Sequence, residues 1–216
     1  MKHGIRRNNM TKADALRRML LMWLPGVAAA VAGCHSFREE SGDGPGMILE
    51  YGNLIGGKSI VVKSAVLPDG KPFMDPGALG GSGLNKKRPT WKDMPTKVMA
   101  ASGDHRGLPD WVAFEWSEPP YPEDPNMSLE AYRALPRKKH RLVIKSRIPE
   151  SVIKEVAISK REAPRGKVAD KTLWIYIFWT PDGMKMRWEM TNRAAGPGGF
   201  GPVIKEGGDD LDRYNL

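Results

Sequence analysis

The sequence predicts an α+β fold, a mainly antiparallel β-sheet with one or two short helices packed on one face. Three observations point there. Residues 172–190 read as a hairpin of two long strands around Thr180-Pro181-Asp182-Gly183, a strong turn signal. Several shorter runs alternate apolar and polar residues with the period of two expected of a half-buried strand. Only two windows, after Ser128 and at Pro149, carry helix-start chemistry.

Taken in order, the chain opens with a basic stretch holding Lys2, Arg6, Arg7, Lys12, Arg17 and Arg18 against one acid, Asp14. An apolar run, residues 19–32, follows and ends in small residues before Cys34, the single cysteine. This is the architecture of an export signal, with Met1 or Met10 as its start. The apolar run, interrupted by Pro25, is shorter than the roughly 20 residues of a spanning helix. Val31-Ala32-Gly33-Cys34 resembles the lipobox of bacterial lipoproteins, which implies that Cys34 is acylated and becomes the mature N-terminus. Arg17-Arg18 also resembles a twin-arginine signal, with ordinary secretion as the default. The expected organisation is a signal peptide over 1–33, a polar glycine-rich tether over 34–46 and one α+β domain over 47–216. His35 after the cysteine, in place of aspartate, resembles the sorting pattern of outer-membrane lipoproteins. It implies a domain facing the periplasm.

Within the domain, residues 47–51 and 59–66 are β-branched or apolar runs separated by a glycine-bearing turn, and they read as a strand pair. Residues 77–89, rich in glycine and cations without periodicity, read as a mobile surface loop. Residues 111–117 form a strand with Val112, Phe114 and Trp116 on one face. Residues 118–125, EPPYPEDP, hold too many prolines for a ladder and read as a loop. Ser128 caps a short helix through Leu135, stopped before Pro136. Residues 141–148 alternate as a half-buried strand, and Pro149 opens a helix through Ala157 with Val152, Ile153 and Val156 on one face. In the hairpin, Leu173, Ile175, Ile177 and Trp179 face one way and Trp174, Tyr176 and Phe178 the other, which marks a central strand. The return strand sets Met184, Met186, Trp188 and Met190 against Lys185, Arg187 and Glu189, whose face is expected in water.

Charge and cysteine content exclude several functions. The formal net charge is +9, but more than half of it lies in the first 33 residues, so the basicity is mostly a targeting device and gives no support to nucleic-acid binding. With Cys34 acylated no thiol remains, which removes disulfides and cysteine-based zinc or redox chemistry.

The literal motifs lack their structural context. Gly52-Asn53-Leu54-Ile55-Gly56-Gly57-Lys58-Ser59 spells a phosphate loop, yet the β-branched residues that follow read as a strand, where phosphate binding needs a helix N-terminus. Gly196 to Gly201 spells GxGxxG and is followed by Pro202, so it reads as a loop. His35, His105 and His140 are scattered, no serine sits in GxSxG, and Asp209-Asp210-Leu211-Asp212 lacks the ligand pattern of a calcium loop. No catalytic residue, metal, cofactor or nucleotide is expected, and the acidic tail reads as solvated. Residues 137–141, Arg-Lys-Lys-His-Arg, read as a solvated strand entrance that meets anionic headgroups or an acidic partner only as a lesser alternative.

Leu108-Pro109 before a Trp-rich strand with Trp116-Ser117, Ile148-Pro149 opening a helix, and a closing strand, Pro-Asp-Gly turn and Trp188-bearing strand form an ordered set. In that order, residues 108–190 resemble a family of uncharacterised proteobacterial lipoproteins found beside type VI secretion effectors. Some members resemble immunity proteins that neutralise periplasmic toxins, particularly phospholipases. The similarity spans under half of the mature chain and carries no inhibitory residue with it. What it implies is a non-enzymatic, membrane-anchored protein whose partner is a toxin effector. The alternative is a structural lipoprotein of the envelope or secretion apparatus. Partner contacts are expected in the irregular loops: Tyr121, Glu123 and Asp124 of the proline-rich segment, and Asp209, Asp210 and Asp212 of the tail.

Overall fold

The computed structural model describes residues 46–81, 90–101, 107–122, 124–164, 169–193 and 201–214. Cys34, Glu123, His35, His105, and most of the 196–201 and 77–89 segments therefore lie outside the described residues. Among the described residues the strands are β1 (Met47–Asn53), β2 (Ile60–Val66), β3 (Ala78–Leu79), β4 (Thr96–Ala101), β5 (Trp111–Ser117), β6 (Lys138–Val143), β7 (Lys171–Thr180), β8 (Gly183–Asn192) and β9 (Val203–Gly208). The same residues hold two α-helices, α1 (Leu129–Arg133) and α2 (Glu150–Glu162), and 3-10 turns at Trp91–Asp93, Lys145–Arg147 and Asp212–Tyr214.

The described residues are α+β, with mostly antiparallel sheets and one substantial helix packed against them. The strands divide into a five-stranded sheet, β4-β1-β7-β8-β9, and a four-stranded sheet, β3-β2-β5-β6. The hairpin pairs from Lys171↔Asn192 to Thr180↔Gly183, and Gly183 takes φ +101°, a conformation that favours glycine. As its two apolar faces predict, β7 is the middle strand of the larger sheet. Its other neighbour is β1, in parallel register from Ile48↔Trp174 to Asn53↔Trp179.

The predicted pairing of the first two strands is corrected, because β1 and β2 belong to different sheets. The segment between them is a crossover held by Asn53. Its Nδ2 donates to the Lys58 carbonyl at 2.8 Å and its Oδ1 accepts from the Ile55 N–H at 2.9 Å. Three further boundaries differ. β6 starts at Lys138 and stops at Val143, since Ile144 N–H turns to the Asp110 carbonyl and a 3-10 turn follows. Helix α2 runs on to Glu162. Ala78–Leu79, expected in a loop, is the edge strand β3, with Leu79 buried.

The two sheets share one core. Leu173, Ile175, Ile177 and Trp179 of β7 pack in the same cluster as Val112, Phe114 and Trp116 of β5, together with Val152 and Val156 of α2. Trp179 is the joint: its ring lies 5.7 Å from Phe114, 6.1 Å from Trp116 and 6.3 Å from Tyr51. A second cluster, Leu54, Trp91, Met94, Phe178 and Leu211, covers the opposite face of the large sheet. That corrects the water-facing side expected of β8, where Glu189 is buried. Gly52 makes the cluster possible, because a Cβ there would stand 2.1 Å from the Phe178 ring.

Candidate functional site

The proline-rich segment is anchored more firmly than its composition predicts. Pro119 O accepts from Ser59 N–H at 2.9 Å, Tyr121 N–H donates to Gly57 O at 2.9 Å, and Pro120 bridges Lys58 in antiparallel fashion. Residues 119–121 therefore make one isolated bridge within a segment that is otherwise the expected loop among its described residues, using the carbonyl before Pro120 and the N–H after it, so the missing proline donor is not needed. At its start, Glu118 accepts from Trp116 Nε1 at 3.0 Å and pairs with Lys138 at 2.8 Å and Lys58 at 3.2 Å. Burial pushes this carboxyl up, but the three donors outweigh it and hold it below the usual glutamate range.

Beyond the cis Tyr121–Pro122 peptide, Asp124 Oδ1 accepts from Asn126 N–H and the Ser128 hydroxyl accepts from Ala131 N–H, capping α1 as the sequence predicts. The result is a groove of about 320 Å³ lined by Pro119, Pro120, Asp124, Met127, Leu129 and Tyr132. Leu129, 62% exposed, stands at its side as an uncovered apolar residue. Tyr121 turns elsewhere: it is half-buried against Gly80 and Gly81 and does not line the groove.

The acidic tail is not solvated in the way expected. Asp209 Oδ2 accepts from Met186 N–H at 2.8 Å while Oδ1 pairs with Arg147 at 2.8 Å. Asp210 Oδ1 accepts from Asp212 N–H, and Asp212 Oδ1 accepts from Trp91 Nε1 at 3.0 Å. Asp182 in the β7–β8 turn accepts from Tyr214 and pairs with Arg213, which together hold its carboxyl below the usual range. These carboxylates fasten the C-terminal segment to the large sheet, whereas the proline loop belongs to the small one. Of the described residues expected to contact a partner, Tyr121 and Asp124 thus belong with the small sheet and Asp209, Asp210 and Asp212 with the large one, and Asp124 lines the groove.

A polar cluster on the outer face of the large sheet had no signal in the sequence. Glu50 on β1 accepts from Thr96 Oγ1 at 2.6 Å, and Glu189 on β8 accepts from Tyr176 Oη at 3.1 Å. Lys92 Nζ lies 3.2 Å from Glu189 Oε1, close enough for charge pairing although not aligned as a hydrogen bond. Burial raises the Glu50 carboxyl above the usual range; the Thr96 bond opposes this and the Glu189 charge adds to it. Burial, then the charges of Glu189 and Glu50, push the Tyr176 phenol far up, so it remains a donor. Together with Trp91 to Asp212, these contacts latch residues 90–96 onto the sheet. Three of the contacts, from Trp91, Lys92 and Thr96, come from one short segment, which they fasten in place, while the Tyr176–Glu189 bond lies within the sheet.

The phosphate-loop spelling is accounted for by other contacts. Lys58 pairs with Glu118, and the residues that would open a helix run on as β2. His140 is exposed on β6. Among the described residues, no group of three or more His, Cys, Asp or Glu could hold a metal ion, and no helix is long and apolar enough to cross a membrane. No protein-family model matches the chain, and no curated protein or solved structure matches it.

Proposed function

We propose that this chain is a lipid-anchored envelope protein, held at the outer membrane through Cys34 and facing the periplasm, that binds a protein partner. Its most specific form is an immunity protein that neutralises a type VI secretion effector, such as a phospholipase, by occluding the active site. The observation that carries the reading is the anchored proline loop with its apolar groove, in which Leu129 is left 62% exposed. A solvent-facing concavity with an exposed leucine and an acid in its lining suits contact with another protein. The lipobox-like Val31-Ala32-Gly33-Cys34 and the resemblance of residues 108–190 supply the compartment and the partner class.

The test is co-expression with a phospholipase effector of a type VI secretion system from the same cell. The expected result is survival, co-purification of the two proteins, and loss of both with Leu129→Asp, a surface change that leaves the core intact. Unchanged killing without co-purification overturns the reading. A deletion that abolishes secretion while leaving toxin sensitivity unaltered would instead favour the structural lipoprotein.

A further inference from the structure

The outer face of the small sheet carries cations in an arrangement that the sequence run alone does not show. Residues 138–143 form an edge strand, and pairing with β5 sets Lys139 opposite Glu115, Arg141 opposite Ala113 and Val143 opposite Trp111. Alternation places these side chains on one face, away from the core side of Val112, Phe114 and Leu142. Ion pairs verify it: Arg137 reaches Glu115 at 2.8 Å and Lys139 reaches it at 3.1 Å. Arg141 lies over the Trp111 ring at 4.2 Å.

The decisive feature is depth. The Glu115 side chain is 18% exposed, while Arg137 and Lys139 above it are 62% and 76% exposed. The two cations hold Glu115 ionised, by hydrogen bonds first, and it lies beneath them, so the outermost layer of the face is positive. At the end of β5 farthest from the proline loop, the half-buried Trp111 and the exposed Val143 add an apolar margin. Cations beside a tryptophan and an aliphatic residue match the boundary between phosphate headgroups and acyl chains.

We infer that this face, Arg137, Lys139, Arg141, Trp111 and Val143, rests on the anionic headgroups of the bilayer that holds the anchor. The inference depends on the lipid-anchored reading. From Cys34 to Gly46 the connecting chain spans at most about 40 Å, which keeps the domain near the surface. Electrostatic attraction over that gap is screened within about 8–10 Å, so the face acts only on contact and sets which way the domain lies. Arginine guanidiniums suit phosphate oxygens geometrically, and two of the three cations are arginines. Docked in this way, the domain has its proline loop at one end of the contact strand.

The test is lysine acetylation of the mature acylated protein in vesicles of phosphatidylcholine alone or mixed with phosphatidylglycerol, read residue by residue. Lys139 and Lys154 on α2, 68% exposed, serve as probe and reference. The expected result is a fall of about fivefold in Lys139 labelling on the anionic vesicles, with Lys154 unchanged and the effect lost near 1 M salt. R137Q/R141Q, both changes at the surface, should remove the protection. Equal labelling of Lys139 on both vesicles overturns the inference even when intact mass shows an acyl group on Cys34. Protection by an oligonucleotide or an acidic protein on neutral vesicles also overturns it, in favour of that partner. A mature protein without the acyl group overturns the anchored reading itself, and this inference with it.

Discussion

Trp179→Ala tests whether the two sheets are held together as one core. The ring is 1% exposed and meets Tyr51 on its own sheet and Phe114 and Trp116 on the facing one. Truncating a buried tryptophan costs about 3–5 kcal/mol, counting lost burial and the cavity left behind. One term opposes this: the Trp179 indole N–H is buried without an acceptor among the described residues, and removing an unsatisfied donor returns about 1 kcal/mol. The net expectation is about 3 kcal/mol, or a Tm lower by about 6–12 °C at this chain length. Trp179→Phe keeps most of the packing and discards the orphan donor, so its loss is expected near 1 kcal/mol. Calorimetry and urea unfolding of both variants, with a Phe114→Ala cycle, provide the measurement. The cycle should give a coupling of about 1 kcal/mol for rings 5.7 Å apart. A loss under about 1 kcal/mol for Trp179→Ala, with no coupling, would refute the shared core.

Three other perturbations follow from particular contacts. Gly52→Ala drives a methyl group against the Phe178 ring, 2.1 Å away and enclosed on all sides, and should cost about 1–3 kcal/mol in urea unfolding. Asp209→Ala removes the acceptor for Met186 N–H and the partner of Arg147, a loss of about 1.5–3 kcal/mol by the same measurement, whereas a truly solvated tail residue would cost almost nothing. Glu50→Gln should raise Tm at neutral pH, since burial lifts the Glu50 carboxyl above its unfolded value of 4.5 and ionisation opposes folding at higher pH. The advantage should vanish as pH falls below 4.5, where Glu50 is protonated in both states; a difference independent of pH would contradict the assignment.

What was legible in the chain was local. The 171–192 hairpin announces itself through alternation and its Pro-Asp-Gly turn, and α1 and β5 lie where their capping serine and Trp-rich period place them. Long-range pairing was not legible, because a strand pattern records which face is buried and not what covers it. The glycine-bearing segment after β1 looks like a hairpin turn, yet Asn53 uses its amide to carry the chain from one sheet to the other. β4 and β9 are edge strands with exposed residues and little alternation, so their patterns carry no period-two signal. The acidic tail looked solvated because its partners, Arg147, Met186 and Trp91, are distant in sequence. The Glu50–Glu189 cluster was hidden for the same reason, each carboxylate being met by a residue of the 90–96 segment. The irregular course of the proline-rich segment was legible in its composition. The groove itself depends on how Pro120 pairs with Lys58, which composition does not encode.

Both the partner-binding proposal and the proposed orientation of the domain rest on the proposed anchor, so the most direct test is the intact mass of the N-terminal peptide recovered from membranes of producing cells. The account predicts a mature chain beginning at Cys34 and bearing acyl chains. A chain that retains Met1 or Met10 with an unmodified Cys34 thiol would contradict it.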